Sequence, residues 1–314
     1  MQTKAKSFSS FIFILLIAIT FFAQQVFQKK TNIITWDVYG YYVLLPATFI
    51  YHDVQHFNFA EKNIQQHEIS NNLYQIQQLK NGNRIPIYTI GFAIAHLPFF
   101  IIADIFTQSQ NYFARDGLSF PYQLALLISC LFYCFIGLFY LQKFLLKYFS
   151  FHAVCIALLC IVFGTNYFNY VVFDAAMPHA LLFALYGILI FKIAQWFDKQ
   201  TLKTGFIIGI LYALVFLIRP TELVSLMFFI FYPIGKTMPF KKIISFWKQN
   251  FRLLIPIFLM GFSIIFLQIF YWHFVTRNGF ITLTKLVDIF SNGNIHTLSK
   301  AFLVTEKVGC YIHQ

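Results

Sequence analysis

The chain has 314 residues, of which 59% are hydrophobic and 11% charged, with a formal net charge of +12. That composition excludes an ordinary soluble globular domain and predicts an all-α, polytopic bundle of transmembrane helices. The cationic excess falls mostly in short loops between apolar runs, the pattern of a topology signal and not of a nucleic-acid surface.

The first apolar run is Phe8–Phe27, preceded by Lys4 and Lys6. Large residues follow Ala23-Gln24-Gln25 and no small-x-small cleavage site appears, so an uncleaved anchor is expected. Residues 28–86 form the longest polar region, read as a first external loop bearing juxtamembrane helices. The spacing of Ile64, Ile69, Leu73 and Ile76 allows short amphipathic helices there. The loop opens with Trp36-Asp37-Val38-Tyr39-Gly40-Tyr41-Tyr42 and Pro46, one carboxylate among four aromatic rings. The chain holds only 11 Asp and Glu, so an acid placed here is a candidate site residue. Capping a juxtamembrane helix is the plainer role for Asp37, and an interfacial aromatic belt the plainer role for Trp36, Tyr39, Tyr41 and Tyr42.

Further apolar runs follow at Ile87–Phe106, Pro121–Leu141, Phe151–Phe163, Pro178–Phe197, Gly205–Ile218, Leu223–Ile234 and Leu253–Phe274. With a spanning helix needing roughly 20 apolar residues, this predicts about 7 to 8 membrane segments. A membrane module is expected over 1–278, with a polar tail over 279–314 that reads as truncated or atypical. Cys130, Cys134, Cys155 and Cys160 lie inside apolar runs and read as small buried hydrophobes, not metal ligands. His52, His56 and His67 sit in the polar loop with spacing that fits solvated residues better than a metal site.

Loop charge sets orientation. Lys143, Lys147, Lys192, Lys199, Lys203, Lys236, Lys241, Lys242, Lys248 and Arg252 occupy one set of connections; Arg115 and Arg219 occupy the alternate set. The first set is expected in the cytoplasm. An N-terminus that is also cytoplasmic then requires that 87–106 does not cross. Gly91, His96, Pro98 and Asp104 suit a re-entrant or juxtamembrane helix pair there. The less basic face then collects Asp37, Asp53, Arg84, Arg115, Asp116, Asp174, His179, Arg219 and Glu222. Ionisable groups at membrane depth are functional candidates by default. Arg219 and Glu222 flank Pro220, where the helix must break, and an ion pair between them would lower their burial cost.

The Trp36–Pro46 stretch resembles the first external loop of GT-C-fold glycosyltransferases that use polyprenyl-phosphate sugars, the protein O-mannosyltransferase-like and aminoarabinose-transferase-like membrane enzymes. Similar pieces are Tyr88-Thr89-Ile90-Gly91-Phe92, His96-Leu97-Pro98-Phe99-Phe100, Asp116-Gly117-Leu118-Ser119-Phe120-Pro121, Phe163-Gly164-Thr165-Asn166, Asp174 to His179, and Leu217-Ile218-Arg219-Pro220-Thr221-Glu222. The resemblance runs over residues 10–275. It departs at Val38, where many relatives carry a second acid, and in the short tail; Asp53 is the alternative second carboxylate. The resemblance implies sugar transfer with inversion at C1, from a polyprenyl-phosphate donor in the bilayer to a glycan, lipid or protein acceptor on the outer face of a bacterial inner membrane. By resemblance Asp37, with Asp53, is catalytic. Trp36, Tyr39, Tyr41, Tyr42, Arg84, Asp174, His179, Arg219 and Glu222 bind substrate, the two arginines holding phosphate. No bound metal is expected, although a divalent ion stays open. A transporter or flippase of lipid-linked sugars and a non-catalytic membrane protein are the other classes; the first needs matched broken helices, and no internal repeat is seen.

Overall fold

The computed structural model describes Ile14 and residues 32–235 and 238–276. The first apolar run apart from Ile14, and the tail 279–314, lie outside those residues. The described chain is a helical bundle with one small ribbon. Its helices are α1 Trp36–Tyr42, α2 Leu44–Phe49, α3 Ala60–His67, α4 Gly91–Gln108, α5 Phe120–Leu145, α6 Phe151–Gly164, α7 Tyr167–Val172, α8 His179–Asp198, α9 Leu202–Ile218, α10 Leu226–Gly235, α11 Ile243–Gln249 and α12 Ile255–Thr276. Three 3-10 turns, Pro220–Ser225, Phe240–Lys242 and Phe251–Leu254, join the later helices.

Four segments are long and apolar enough to cross a membrane: α4, α5, α8, and α12 with its leading turn. A fifth is possible only if the pair Pro220–Gly235 and Phe240–Gln249, bent by 113°, counts as one broken span. Among the described residues the chain is therefore a multi-pass bundle with four or five candidate spans, and the 7 to 8 expected are not confirmed. One expected run lies outside the described residues, and two others are apolar but short: α6 has 14 residues and α9 has 17, below the roughly 20 that cover hydrocarbon.

Local chemistry sets the helix ends. Thr201 accepts a hydrogen bond from the Thr204 amide at 3.2 Å and caps α9. Pro121 occupies the first turn of α5, where its missing N–H costs nothing. At the other end of α9, Pro220 forces the residue before it out of the helical region, and Arg219 is extended at φ −146°, ψ 108°. In the polar loop the pattern of Ile69, Leu73 and Ile76 does not continue α3. Ile76–Gln78 instead pairs with Arg84–Pro86 as an antiparallel ribbon, Gln77 opposite Ile85. The Asn81-Gly82-Asn83 turn closes it, with Gly82 at φ +84°.

α8 packs against α5 and α9, α9 against α12, and α4 against α5. Where α5 meets α8, a Cβ on Gly187 would lie 2.6 Å from the Gly137 carbonyl oxygen, so small residues let the two backbones touch. The loop is part of this core: Ile34, Tyr39, Tyr42, Val43, Ala47, Phe57 and Ile69 are buried in one cluster with Phe92, Leu126, Leu181 and Ile218.

Two ends of the bundle differ in charge. Lys147 pairs with Asp198 at 3.0 Å where α5 and α8 finish, and α11 packs there through Trp247 on Trp196. The other eight described acids lie toward the opposite end or in the loop over it. Helix α4 lies antiparallel to the first half of α5, Tyr133 donating to the Ala95 carbonyl and His96 meeting Ser129. Thr89 donates to the Leu217 carbonyl and the Ile90 amide donates to Gln268 Oε1 at 2.8 Å, so α4 starts at the C-terminal end of α9. It finishes beside the start of α5, where Tyr122 donates to Asp104 Oδ1 at 2.7 Å. It is one continuous 18-residue helix through Pro98, not a helix pair.

Candidate functional site

Asp37 sits in the first turn of α1. Thr35, not Asp37, is the N-cap, and no side chain caps this helix, so Asp37 is not spent on orphan amides. Its Oδ1 accepts from the Tyr74 hydroxyl at 2.6 Å, and its charge also acts on Tyr88. Burial, the Asp37 hydrogen bond and its charge together push the Tyr74 hydroxyl well above its ordinary range. Burial and then the Asp37 charge do the same to Tyr88. The Tyr74 phenol is therefore a committed donor to the carboxylate.

One turn on, Tyr41 lies on the same face of α1 as Asp37. Its ring stacks on Tyr88 with centroids 3.8 Å apart and planes 26° from parallel. Burial raises the Tyr41 hydroxyl to about 12, against the charge of the nearby Arg219 guanidinium, which holds it down. Trp36 precedes them in the left-handed region at φ +48° and is 53% exposed. That conformation costs a non-glycine residue of order 1 kcal/mol or more. It is held by the Trp36 amide on the Ile69 carbonyl at 3.0 Å and by Gln75 Nε2 on the Trp36 carbonyl at 3.0 Å.

Arg219 reaches this place because Pro220 ends α9. The expected ion pair with Glu222 does not form: among the described residues Arg219 has no carboxylate partner. Glu222 instead accepts from the Tyr186 hydroxyl. The Glu222 amide donates to the Arg219 carbonyl at 2.9 Å, a backbone turn that holds their side chains apart. His179 opens α8 and stacks on Tyr170 at 3.8 Å. The charges of Arg219, Glu222 and Asp174 all act on it. Asp174 is exposed and accepts from Asn169 Nδ2 at 3.1 Å. So Asp37, Tyr41, Arg219, His179, Glu222 and Asp174, drawn from α1, the α7–α8 connection, α8 and the α9 end, share one polar cluster.

Other expected site residues lie elsewhere. Asp53 is bound inside its own loop, accepting from the His56 amide at 2.8 Å and the Asn58 amide at 2.8 Å. Burial raises its carboxyl, but these amides, that of Phe57 and the His56 charge outweigh it and hold the group below the ordinary range. With its lone pairs filled by backbone, Asp53 is a loop cap. Arg84 pairs with Glu61 in the loop and does not complete the cluster. Tyr39 and Tyr42 are core residues, 0% and 2% exposed. Tyr42 donates to the Gly117 carbonyl at 2.8 Å and pins α1 to the 109–119 loop. Arg115 grips Asp104 with two bonds of 2.9 Å, a fork that fixes the same loop to α4. Asp116 accepts from the Leu118 and Ser119 amides and faces His67 at 3.0 Å. No three metal-ligating side chains converge among the described residues, and His52, His56 and His67 form no group.

Tyr74, Tyr170 and Tyr186 belong to the cluster and were not singled out in the sequence. Tyr186 carried a signal, since it lies seven residues after His179 on the same helix face. Tyr74 carried none beyond being an aromatic in an Asn/Gln-rich stretch. Comparison with known protein families, with curated proteins and with solved structures finds no match to this chain.

Proposed function

We propose that the chain is a GT-C-like membrane glycosyltransferase that moves a sugar from a polyprenyl-phosphate donor to an acceptor on the outer face. One observation carries the reading: a carboxylate that caps nothing and a guanidinium with no carboxylate partner face the same Tyr41–Tyr88 aromatic pair. In the proposed step the Asp37 carboxylate takes the proton of the acceptor hydroxyl. The acceptor oxygen bonds to C1 as the C1–oxygen bond to phosphate breaks, and the bonding electrons leave on the phosphate. Arg219 balances that charge with a planar fork suited to phosphate oxygens. Tyr74 fixes the carboxylate, and Trp36 offers an open ring beside it for a sugar face.

The bundle's charge asymmetry supports the orientation. The end bearing Lys147 and the other loop lysines suits the cytoplasm, and the Asp37 cluster then faces outward. A same-sided α4 would support an N-terminus on the cytoplasmic side. The test is transfer from radiolabelled polyprenyl-phosphate sugar in membranes containing the parent chain, Asp37→Asn or Arg219→Gln. Each variant is expected to lose transfer about 100-fold or more, the usual scale for general-base or electrostatic groups. Arg219→Lys is expected to recover only part of it, since an ammonium keeps the charge without the fork. Transfer unchanged in Asp37→Asn would remove Asp37 as the base.

A further inference from the structure

A cleft of about 370 Å³ opens in the polar loop, where the segment before α1, the end of α3 and the start of α5 meet, and no residue of the Asp37 cluster lines it. Small-molecule sites span about 300–1,000 Å³, so the volume suits such a ligand. Gln123 is the buried polar group of its wall. The Gln123 side-chain oxygen accepts from the Ile33 amide at 2.9 Å and the Ile34 amide at 3.2 Å. Its nitrogen donates to Asn32 Oδ1 at 2.8 Å and to the Leu118 carbonyl at 3.0 Å. Asn32 Nδ2 in turn donates to the His67 carbonyl at 2.7 Å. Three segments distant in sequence are thus locked together before any ligand arrives, which lowers the ordering cost of binding.

Other lining groups are uncommitted. Thr35 makes no capping bond, and Gln66 is exposed. The Glu68 carboxylate makes no ion pair among the described residues. Glu68 ends α3 in the left-handed region at φ +49°. That conformation is unfavourable for a non-glycine residue, and so is negative charge at a helix C-terminus. On the same cleft Phe120 shows a ring that is 60% exposed.

We propose that this cleft binds a neutral saccharide, the second sugar of a glycan acceptor; the acceptor role rests on the transfer proposed above. Sugar hydroxyls donate to the Glu68 carboxylate in charge-assisted bonds. They exchange neutral bonds with the Thr35 hydroxyl and the Gln66 amide. The C–H face of the sugar ring packs on Phe120, whose aromatic face is negative. No Lys or Arg lines the cleft, and its one imidazole, His67, is held by Asp116 at 3.0 Å. An anionic acceptor would therefore meet an unpaired carboxylate with no cation to offset it. Thr35 links the cleft to the reacting centre. It stands two residues before Asp37, so their Cα atoms are at most about 7 Å apart. A glycan whose end sugar reacts at Asp37 can lay its next sugar in the cleft.

The experiment applies the full chain, purified in detergent and without donor, to immobilised neutral oligosaccharides of glucose, galactose, mannose and N-acetylglucosamine. The parent is expected to bind at least one of them. Glu68→Gln and Phe120→Ala are each expected to weaken that binding about tenfold, and Phe120→Trp, which keeps a ring face, to retain it. Glu68→Gly is expected to weaken binding while the thermal midpoint holds or rises, because glycine takes the left-handed conformation without strain. That separates a lost ligand contact from a lost fold. No binding by the parent, or binding that Glu68→Gln and Phe120→Ala leave unchanged, would overturn the site. So would a preference for phosphorylated sugars, or displacement by choline, a cation that also suits a carboxylate beside a ring. With no donor present, these outcomes do not depend on transfer. Saccharide binding by a chain that transfers nothing would overturn the transfer reading and leave the site. Transfer whose KM for an oligosaccharide acceptor is unmoved by Phe120→Ala would overturn the site alone.

Discussion

The residues that matter most were chosen by what they leave unsatisfied. Asp37 and Asp53 look alike in the sequence, each an acid near the start of a polar loop. In the structure one accepts from the Tyr74 phenol in a cluster that also holds Arg219, which has no carboxylate partner among the described residues, and the other accepts from two backbone amides of its own loop. Asp53 has its own testable consequence. Its folded pKa lies below the ordinary value of about 3.9. A depressed carboxylate contributes stability above the unfolded pKa and loses it as pH falls through the folded one. Asp53→Ala is expected to cost on the order of 1–2 kcal/mol at neutral pH through its lost amide bonds. Thermal unfolding in detergent should show that difference shrinking as the pH is lowered below about 4, while a difference constant with pH would deny the carboxylate this role.

Among elements, the decisive ones are the short ones. Helix α1 carries Asp37 and Tyr41 on one face, while Tyr42 on the other is bonded into the 109–119 loop. That buried anchoring fixes α1 against the loop from the side away from Asp37. Proline 220 does similar work from the sequence: it ends α9, extends Arg219 and turns the chain so that Glu222 goes to Tyr186. Below this site the bundle depends on close backbone approach, since apolar contact alone drives little association between helices in lipid. Gly187→Val puts carbon where the Gly137 carbonyl oxygen lies 2.6 Å away. Overpacking of this kind costs about 1–3 kcal/mol, so a lowered thermal midpoint in detergent is expected. An unchanged midpoint would mean that α5 and α8 do not touch there.

For the molecule as a whole, a one-sided α4 would reconcile charge with connectivity. Its start meets the end of α9 and its finish meets the start of α5; apolar length alone makes it a candidate crossing, and the proposed outward site requires that it enter from one side. Single cysteines at Asn81 and Gln110, before and after α4, are therefore expected to react with a membrane-impermeant maleimide from the same face, in a background freed of native cysteines. One at Lys203 should react from the other face. Labelling of Asn81 and Gln110 from opposite faces would refute this arrangement and put the proposed outward site in question.

Composition by itself determined that the chain is a helical membrane bundle, because hydrocarbon leaves a backbone few other ways to satisfy its polar groups. Loop charge marked one end, and proline marked the break at Arg219, since both act locally along the chain. The partners of each ionisable side chain were decided only by tertiary structure. Whether Arg219 meets Glu222 or Tyr41, and whether an acid is open or filled by amides, depends on groups brought together from distant helices. Hydropathy cannot distinguish a helix that crosses from one that re-enters, because both bury the same apolar surface. What separates them is which ends meet, and that is a property of the packed bundle.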